Sequence, residues 1–305
     1  MNPRIAVILP CYNEEAAIGL TVAGFRAALP DADIYVFDNN SADRTIEIAA
    51  QAGAIVRREP MQGKGHVVRR MFADIEADIY LMADGDATYD SAAAPAMIQR
   101  LIDEHLDMVV GARASEVDAA YRRGHRFGNR MLTGILARLF GRTFSDILSG
   151  YRVFSRRFVK SFPILSAGFE IETEISVHAL ELRMPVAEVV TQYGARPEGS
   201  TSKLSTYRDG WRILRTILTL FRIERPVLYF GSLGAILALI AIALAAPLIV
   251  TYAQTGLVPR QPTAILVTGL AIVACLCFFA GLILDTVVRG RREMRRLAYL
   301  ALPGI

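Results

Sequence analysis

The chain has 305 residues, of which 53% are hydrophobic, which is high for a wholly soluble protein and suits a large α/β domain plus a smaller apolar part. Its 34 basic and 30 acidic residues leave a net charge of +4, and no nucleic-acid-binding motif accompanies the excess. The three cysteines, Cys11, Cys275 and Cys277, form neither a metal-ligand pattern nor a disulfide framework.

In chain order, residues 5–9 read as a first buried strand. Asn13 can cap a helix, with Glu14 and Glu15 in its favourable first turn. Residues 34–37 form a second strand that ends at Asp38, and 41–52 form a helix opened by Ser41 or Asp43. A short third strand covers 54–56, and Gly63-Lys64-Gly65 leads into another helix. Residues 79–83 are a short apolar run bounded by polar residues, hence a buried strand, and it ends at Asp84-Gly85-Asp86. A helix over 93–104 and a strand at 108–110 follow. This strand–helix rhythm implies a mostly parallel sheet with helices on both faces. Ligands of such sheets bind beyond the carboxyl ends of the strands, so the loops at 10–14, 38–41 and 84–86 should converge on one crevice. Two carboxylates there, one residue apart, suit Mg²⁺ or Mn²⁺, which prefer hard oxygen donors and keep positions open for phosphates.

The C-terminal quarter has a different character. Residues 227–252 and 262–284 carry no charge, and each stretch is long enough to cross a bilayer core, which takes about 20 apolar residues. The short connection at 253–261, with Gly256 and Pro259, makes the pair a hairpin. Arg222 and Arg225 precede it, Arg289, Arg291, Arg292, Arg295 and Arg296 follow it, and the connection holds only Arg260. Basic flanks stay in the cytoplasm, which places the N-terminal part and both hairpin ends on that side of the plasma (inner) membrane. Met1-Asn2-Pro3-Arg4 runs into the first strand with no signal-peptide pattern. The arginines read as contacts to anionic lipid headgroups, so the lipid bilayer is an expected partner and nucleic acid is not. Residues 207–222 alternate apolar residues with arginines, as a basic amphipathic surface helix does. The expected division is a soluble domain over 1–200, a juxtamembrane helix over 201–225, a hairpin over 226–288 with spans at about 227–252 and 262–287, and a basic tail over 289–305.

The ordered motifs Pro10-Cys11-Tyr12-Asn13-Glu14-Glu15, Asp38-Asn39-Asn40-Ser41, Gly63-Lys64-Gly65 and Asp84-Gly85-Asp86 resemble those of family 2 glycosyltransferases. Gly111-Ala112-Arg113 and the block from Asp146 to Phe154 look like the branch containing dolichol-phosphate mannose synthase and bacterial polyprenyl-phosphate glycosyltransferases with two C-terminal membrane helices. The resemblance covers roughly residues 4–222. It implies the GT-A fold, a Rossmann-like mixed sheet, and inverting transfer of a sugar from a UDP- or GDP-sugar to a polyprenyl phosphate. It also implies that membrane hairpins pack together, hence a homo-oligomer.

Residue roles follow from the resemblance and from the chemistry it entails. Asp84 and Asp86 would hold Mg²⁺ or Mn²⁺ against the departing diphosphate. Thr88 stands where many members of the branch have Gln, leaving Thr88 or water as the third ligand. Pro10, Tyr12, Glu14 and Asp38 resemble the loops that hold base and ribose; Lys64, Ser202 and Lys203 are placed to reach the base or the phosphates. The segment 168–174 lacks the Glu-Asp pair that supplies a base for hydroxyl acceptors. A phosphate monoester is already largely ionised, its second pKa being about 6, and needs cations rather than a base. Arg113, Arg126, Arg130 and Arg152 are those cations, with Asp86, Arg113 and Arg152 the expected catalytic set. Two alternatives of other classes stand beside this reading: a non-catalytic membrane partner with a degenerate domain, and a nucleotidyltransferase. The intact Asp38, Asp84, Asp86 and Arg152 oppose the first; the 146–154 block and the hairpin oppose the second.

Overall fold

A computed structural model describes residues 3–114, 134, 144–164, 167–168, 170–197, 215, 218–219 and 221–304. Arg126, Arg130, Ser202 and Lys203 lie outside the described residues, as do 198–214 of the expected donor-side loop and surface helix. The chain divides into two units, one made of Met1–Ile213 with Arg295–Ile305, the other of Leu214–Met294.

In the larger unit, strands β1 (Ile5–Cys11), β2 (Asp33–Asp38), β3 (Ile55–Arg58) and β4 (Ile79–Met82) alternate with helices α1 (Ile18–Ala28), α2 (Thr45–Gln51) and α3 (Lys64–Asp74). Then come α4 (Ala94–Asp103), β5 (Met108–Ala114), β6 (Arg152–Ser155), α5 (Arg156–Ser161), α6 (Ile171–Glu181) and β7 (Val186–Gln192). The strands form one mixed sheet in the order β3-β2-β1-β4-β6-β5-β7. β1, β2, β3 and β4 run parallel, β5 and β7 are parallel neighbours, and β6 lies antiparallel between β4 and β5.

Alternation along each strand sorts side chains to the two faces. Val7 and Leu9 of β1, Ile34 and Val36 of β2, Leu81 of β4 and Val153 of β6 join Ile18, Val22 and Phe25 of α1 and Met97 and Leu101 of α4 in one core. The intervening Ala6, Ile8, Tyr35, Phe37, Tyr80 and Phe154 are equally buried. On that second face Phe72 of α3 meets Phe154 at 5.6 Å, and Phe154 stacks on Phe158 of α5 at 4.9 Å. Burial of both faces is why these strands read as continuous apolar runs.

Three local expectations shift. Asn13 does not cap the first helix, which begins at Ile18; Asn13 sits at φ 51° and its side chain accepts the amide of Ala42 at 2.8 Å. The second helix begins at Thr45 rather than near Ser41, because Ser41 accepts the amide of Asn13 and Asp43 accepts the amide of Thr45. The strand expected at 108–110 continues to Ala114, since all of Met108–Ala114 pairs with β7, and so Arg113 lies on a strand.

Arg152 departs most from expectation. It was expected to hold the acceptor phosphate, but it is completely buried. Its Nε donates to the carbonyl of Ser149 at 2.9 Å, its Nη2 to those of Ile147 and Glu172 at 2.6 and 3.1 Å, and its Nη1 to Ser176 Oγ at 3.0 Å. Burial lowers its pKa to about 10. The guanidinium therefore ties the loop at 147–149 to α6, and a phosphate contact is not its role in this arrangement. In the same unit the terminal stretch is tied down by Arg295, which donates to Glu181 at 2.7 Å, and by Tyr299, which donates to the buried Asp107 at 2.7 Å.

The smaller unit contains α7 (Pro226–Thr255) and the greater part of α8 (Gln261–Leu300). Both helices are long and apolar enough to cross a membrane. Gly256, at φ 65°, ends α7. The helices approach through small residues: a Cβ on Gly234 would stand 2.9 Å from the carbonyl oxygen of Ala274. Leu239, Ile242, Ile249, Ile265, Phe279 and Ile283 point outward, the arrangement a lipid solvent favours.

Replacing Arg152 by Met keeps the bulk but removes the donor from the carbonyls of Ile147 and Ser149, while that of Glu172 keeps Ser176 Oγ. At about 1–3 kcal/mol for each unsatisfied buried group, the larger unit should lose roughly 2 kcal/mol or more. Calorimetric melting of the full chain in detergent should show a clearly lower midpoint for that unit.

Candidate active site

The parallel register puts the carboxyl ends of β1, β2 and β4 side by side, with Cys11 opposite Asp38 and Ile8 opposite Met82. The loops beyond β1 and β2 are zipped together by side chains. Asn13 N donates to Ser41 Oγ at 2.8 Å, Glu14 N to Thr45 Oγ1 at 2.8 Å, and Arg44 N to a Glu15 carboxylate oxygen at 3.1 Å. Asn39 fixes the next loop: it donates to the carbonyls of Glu59 and Met61 at 2.9 and 2.8 Å and accepts from Gly63 N at 2.7 Å. Asn39 thereby sets the position from which Lys64 starts α3.

Asp38 is buried; its Oδ2 accepts the amide of Ser41 at 3.1 Å, while its Oδ1 has no hydrogen-bond partner among the described residues. A buried carboxylate oxygen without a donor is costly, and a ligand hydroxyl or imide N–H would satisfy it. Pro10 and Glu14 are also buried, and Tyr12 is exposed.

Lys64 and Asp84 meet at 2.5 Å, and the same ammonium reaches Glu172 Oε1 at 2.5 Å. Burial pulls the lysine pKa down, but Asp84 and Glu172 outweigh it and the net shift is upward. Asp86 is nearly buried, and its Oδ1 accepts Thr88 Oγ1 at 2.6 Å and Thr88 N at 3.2 Å. Thr88 thus orients Asp86. The other oxygen, Oδ2, pairs with Arg196 at 2.6 Å, and Arg196 also lies 3.6 Å from Glu14. Burial, then the neighbouring Asp84, raises the Asp86 pKa, with Arg196 opposing. Cys11 lies beneath this group: burial first, then Glu14, Asp38, Asp84 and Asp86, push its thiol well up, so it stays protonated.

Two glycines are required by close approach. A Cβ on Gly85 would collide with the Cys11 sulfur. A Cβ on Gly150 would stand 2.9 Å from Asp84 Oδ2 and 3.2 Å from Lys64 Nζ. Gly150 is held there by its amide, which donates to Tyr89 Oη at 2.9 Å. Tyr89 in turn pairs with Tyr193, and Arg113 lies over the Tyr193 ring at 5.4 Å. Arg113 also forms a forked ion pair with Asp146, at 2.6 and 2.8 Å.

The strand-end loops that carry Pro10, Tyr12, Glu14, Asp38, Lys64, Asp84 and Asp86 are therefore joined at one edge of the sheet. Arg113 belongs to the neighbouring Asp146–Tyr193 cluster, and Arg152 is inside the fold. Sequence reasoning missed Glu172 as a partner of Lys64 and Arg196 as a partner of Asp86. Glu172 lies in the segment read only for a missing base, and Arg196 was given no role; nothing in their local spacing signals a partner more than 80 residues away.

The donors fit a hard divalent ion: carboxylate oxygens predominate, and the thiol is protonated. Among the described residues no three acidic, histidine or cysteine side chains converge to cage an ion. An ion on Asp84 and Asp86 would complete its shell with water or phosphate oxygens, as Mg²⁺ commonly does.

A mixed sheet whose parallel carboxyl edge gathers Asp38, Asp84 and Asp86 defines an α/β fold of the kind that binds ligands beyond its strand ends, and the comparisons with known proteins make it particular. Residues 6–162 match the model for glycosyl transferase family 2. Glycosyltransferase AglJ of Haloferax volcanii is 36% identical over 232 residues, covering 75% of this chain and 76% of that protein. The dolichyl-phosphate hexose transferase of the same organism is 27% identical over 221 residues, covering 72% and 95%. Among solved structures, glucosyl-3-phosphoglycerate synthase of Mycobacterium tuberculosis, in complex with Mn²⁺, UDP and glucosyl-3-phosphoglycerate, superposes with a TM-score of 0.59 at 23% identity, over 72% of this chain and 79% of that one. The chain belongs to glycosyl transferase family 2, and its sheet has the GT-A architecture.

Gly150→Ala should push the Asp84 carboxylate aside without unfolding the sheet, because the colliding atoms are side-chain ends. Displacements of about 1 Å near reacting groups cost on the order of 10²-fold in rate. Sugar transfer by this variant should fall by about that factor while its melting midpoint stays close to that of the parent.

Proposed function

We propose that this chain transfers one sugar, with inversion, from a UDP- or GDP-sugar to a polyprenyl phosphate at the cytoplasmic face of the membrane. The observation that carries the reading is the crevice that holds Asp38, Asp84 and Asp86 at the carboxyl ends of β2 and β4, in a chain that also has two helices able to span a bilayer. The relative that is a dolichyl-phosphate hexose transferase supports a lipid-phosphate acceptor.

Each residue then has a task. Asp38 accepts a hydrogen bond from the base or ribose through its unpartnered Oδ1, and Pro10, Tyr12 and Glu14 wall that end of the donor site. Asp84 and Asp86 are the carboxylates for Mg²⁺ or Mn²⁺, which when bound would neutralise charge on the leaving diphosphate. Thr88 fixes the rotamer of Asp86, and Gly150, having no Cβ, leaves the volume beside Asp84 free of a side chain. Lys64 supplies positive charge at the same point. An ionised phosphate attacks without a base, in keeping with Glu172, whose carboxylate is engaged by Lys64. Arg113, with Arg126 and Arg130, is assigned to the acceptor phosphate; Arg152 is a positioning residue behind the loop that ends at Gly150.

The test is a panel of UDP- and GDP-sugars with undecaprenyl phosphate and the purified full chain, scored by the mass of the lipid product. One donor should yield a polyprenyl-phosphate sugar with one sugar per lipid. Asp86→Asn should abolish that product while the melting curve stays native, and EDTA should abolish it reversibly. No lipid product with any donor would overturn the acceptor assignment, and full turnover in EDTA would overturn the metal role.

Topology is open to a separate measurement. A single cysteine introduced at Gly256 in a variant lacking the native cysteines should react with an impermeant thiol reagent applied outside intact spheroplasts. Reaction only after lysis would reverse the orientation that the arginine distribution requires.

A further inference from the structure

The paired aspartates do not stand bare. Lys64 bridges Asp84 and Glu172, each at 2.5 Å, and Arg196 bridges Asp86 and Glu14, at 2.6 and 3.6 Å. The two cations come from unrelated places, the first turn of α3 and the segment that follows β7. The pattern is the same twice: one cation, one aspartate of the pair, and one further carboxylate. Because of that further carboxylate, either cation can release its aspartate and keep an anionic neighbour. Of the two Asp86 oxygens, Oδ1 is taken by Thr88, and Arg196 covers Oδ2, the one left for an ion. The Arg196 side chain is 27% exposed and that of Lys64 only 9%, so Arg196 is the more readily displaced.

One cation stands against each aspartate of the pair at ion-pair distance. A divalent ion arriving alone would have to push a guanidinium off Asp86, or sit in contact with it. A diphosphate arriving with the ion changes the balance, because it adds negative charge for the displaced cation. We infer that Lys64 and Arg196 are built-in counter-ions that oppose loading of a bare divalent ion, and that Arg196 yields when the ion enters together with a nucleoside diphosphate. This rests on the reading of Asp84 and Asp86 as the metal carboxylates. Its consequence is coupling: the ion and the nucleotide each bind better in the presence of the other, by the same factor.

The experiment measures Mn²⁺ binding to the full chain in detergent by electron paramagnetic resonance of the free ion, with and without excess UDP or GDP, and needs no turnover. In the parent, nucleotide should strengthen protein-bound Mn²⁺ by about tenfold or more, the effect of roughly one neighbouring charge. Arg196→Gln should bind Mn²⁺ alone about tenfold more tightly than the parent, and the strengthening by nucleotide should shrink. Lys64→Gln should act in the same direction, but its buried site risks misfolding, so Arg196→Gln is the deciding variant. Equal affinity of Arg196→Gln and parent for Mn²⁺ alone, with binding lost in Asp86→Asn, would leave the metal reading standing and overturn the counter-ion role. Unchanged Mn²⁺ binding in Asp86→Asn would overturn the metal reading and the inference with it.

Discussion

The ion pair between Lys64 and Asp84 joins parts of the chain that meet only because of the sheet. Lys64 begins α3, Asp84 follows β4, and Glu172, which shares the ammonium, belongs to α6. A buried ammonium is tolerable only if its partners are held in place, since leaving such a charge unpaired costs about 3–5 kcal/mol. The surrounding structure supplies the holding. Asn39 fixes Gly63, Thr88 fixes Asp86, and Arg152 fixes the loop that brings Gly150 against Asp84. Each of these contacts is made by a side chain that a ligand need not touch, and each limits where the carboxylates can be.

The first half of the fold was legible because burial on both faces leaves a plain signature. Residues 5–9, 34–37 and 79–83 are apolar throughout and end in polar loops, and all three became strands of the parallel core. Helix starts were less legible. Asn13 and Ser41 are good capping residues, yet here they bond to each other's loops, and Asp43 accepts from both Glu15 N and Thr45 N, so both helices begin later. The competition between local capping and loop-to-loop bonding is settled by register, which a linear pattern does not carry. The antiparallel β6 was equally hidden, because Arg152 at its start reads as a polar boundary rather than as a core residue.

The site divides in the same way. Asp38, Asp84 and Asp86 were visible because strand ends in a parallel sheet have a known destination. Two arginines in comparable motifs, Arg113 and Arg152, could not be told apart by spacing. Arg113 sits where β5 pairs only with β7, half-buried, with a carboxylate and an aromatic face as neighbours. Arg152 lies between β4 and β5, paired on both sides and fully buried, with backbone carbonyls and the Ser176 hydroxyl as its acceptors. Strand position, not residue type, decides whether a guanidinium meets a ligand or becomes part of the wall.

A dry wall of this kind has a chemical consequence for the proposed transfer. A reaction that separates an anionic leaving group from an oxocarbenium-like centre gains most from charges that are already oriented before the substrate arrives. Here orientation comes from pairing: Lys64 and Arg196 lie against the aspartates, so neither has to be gathered from solvent when a diphosphate enters. The acidic partners Glu172 and Glu14 keep those cations within reach after the aspartates turn to another ligand. On the proposed reading that exchange of partners is what allows two phosphate-bearing substrates to share one site with so many carboxylates.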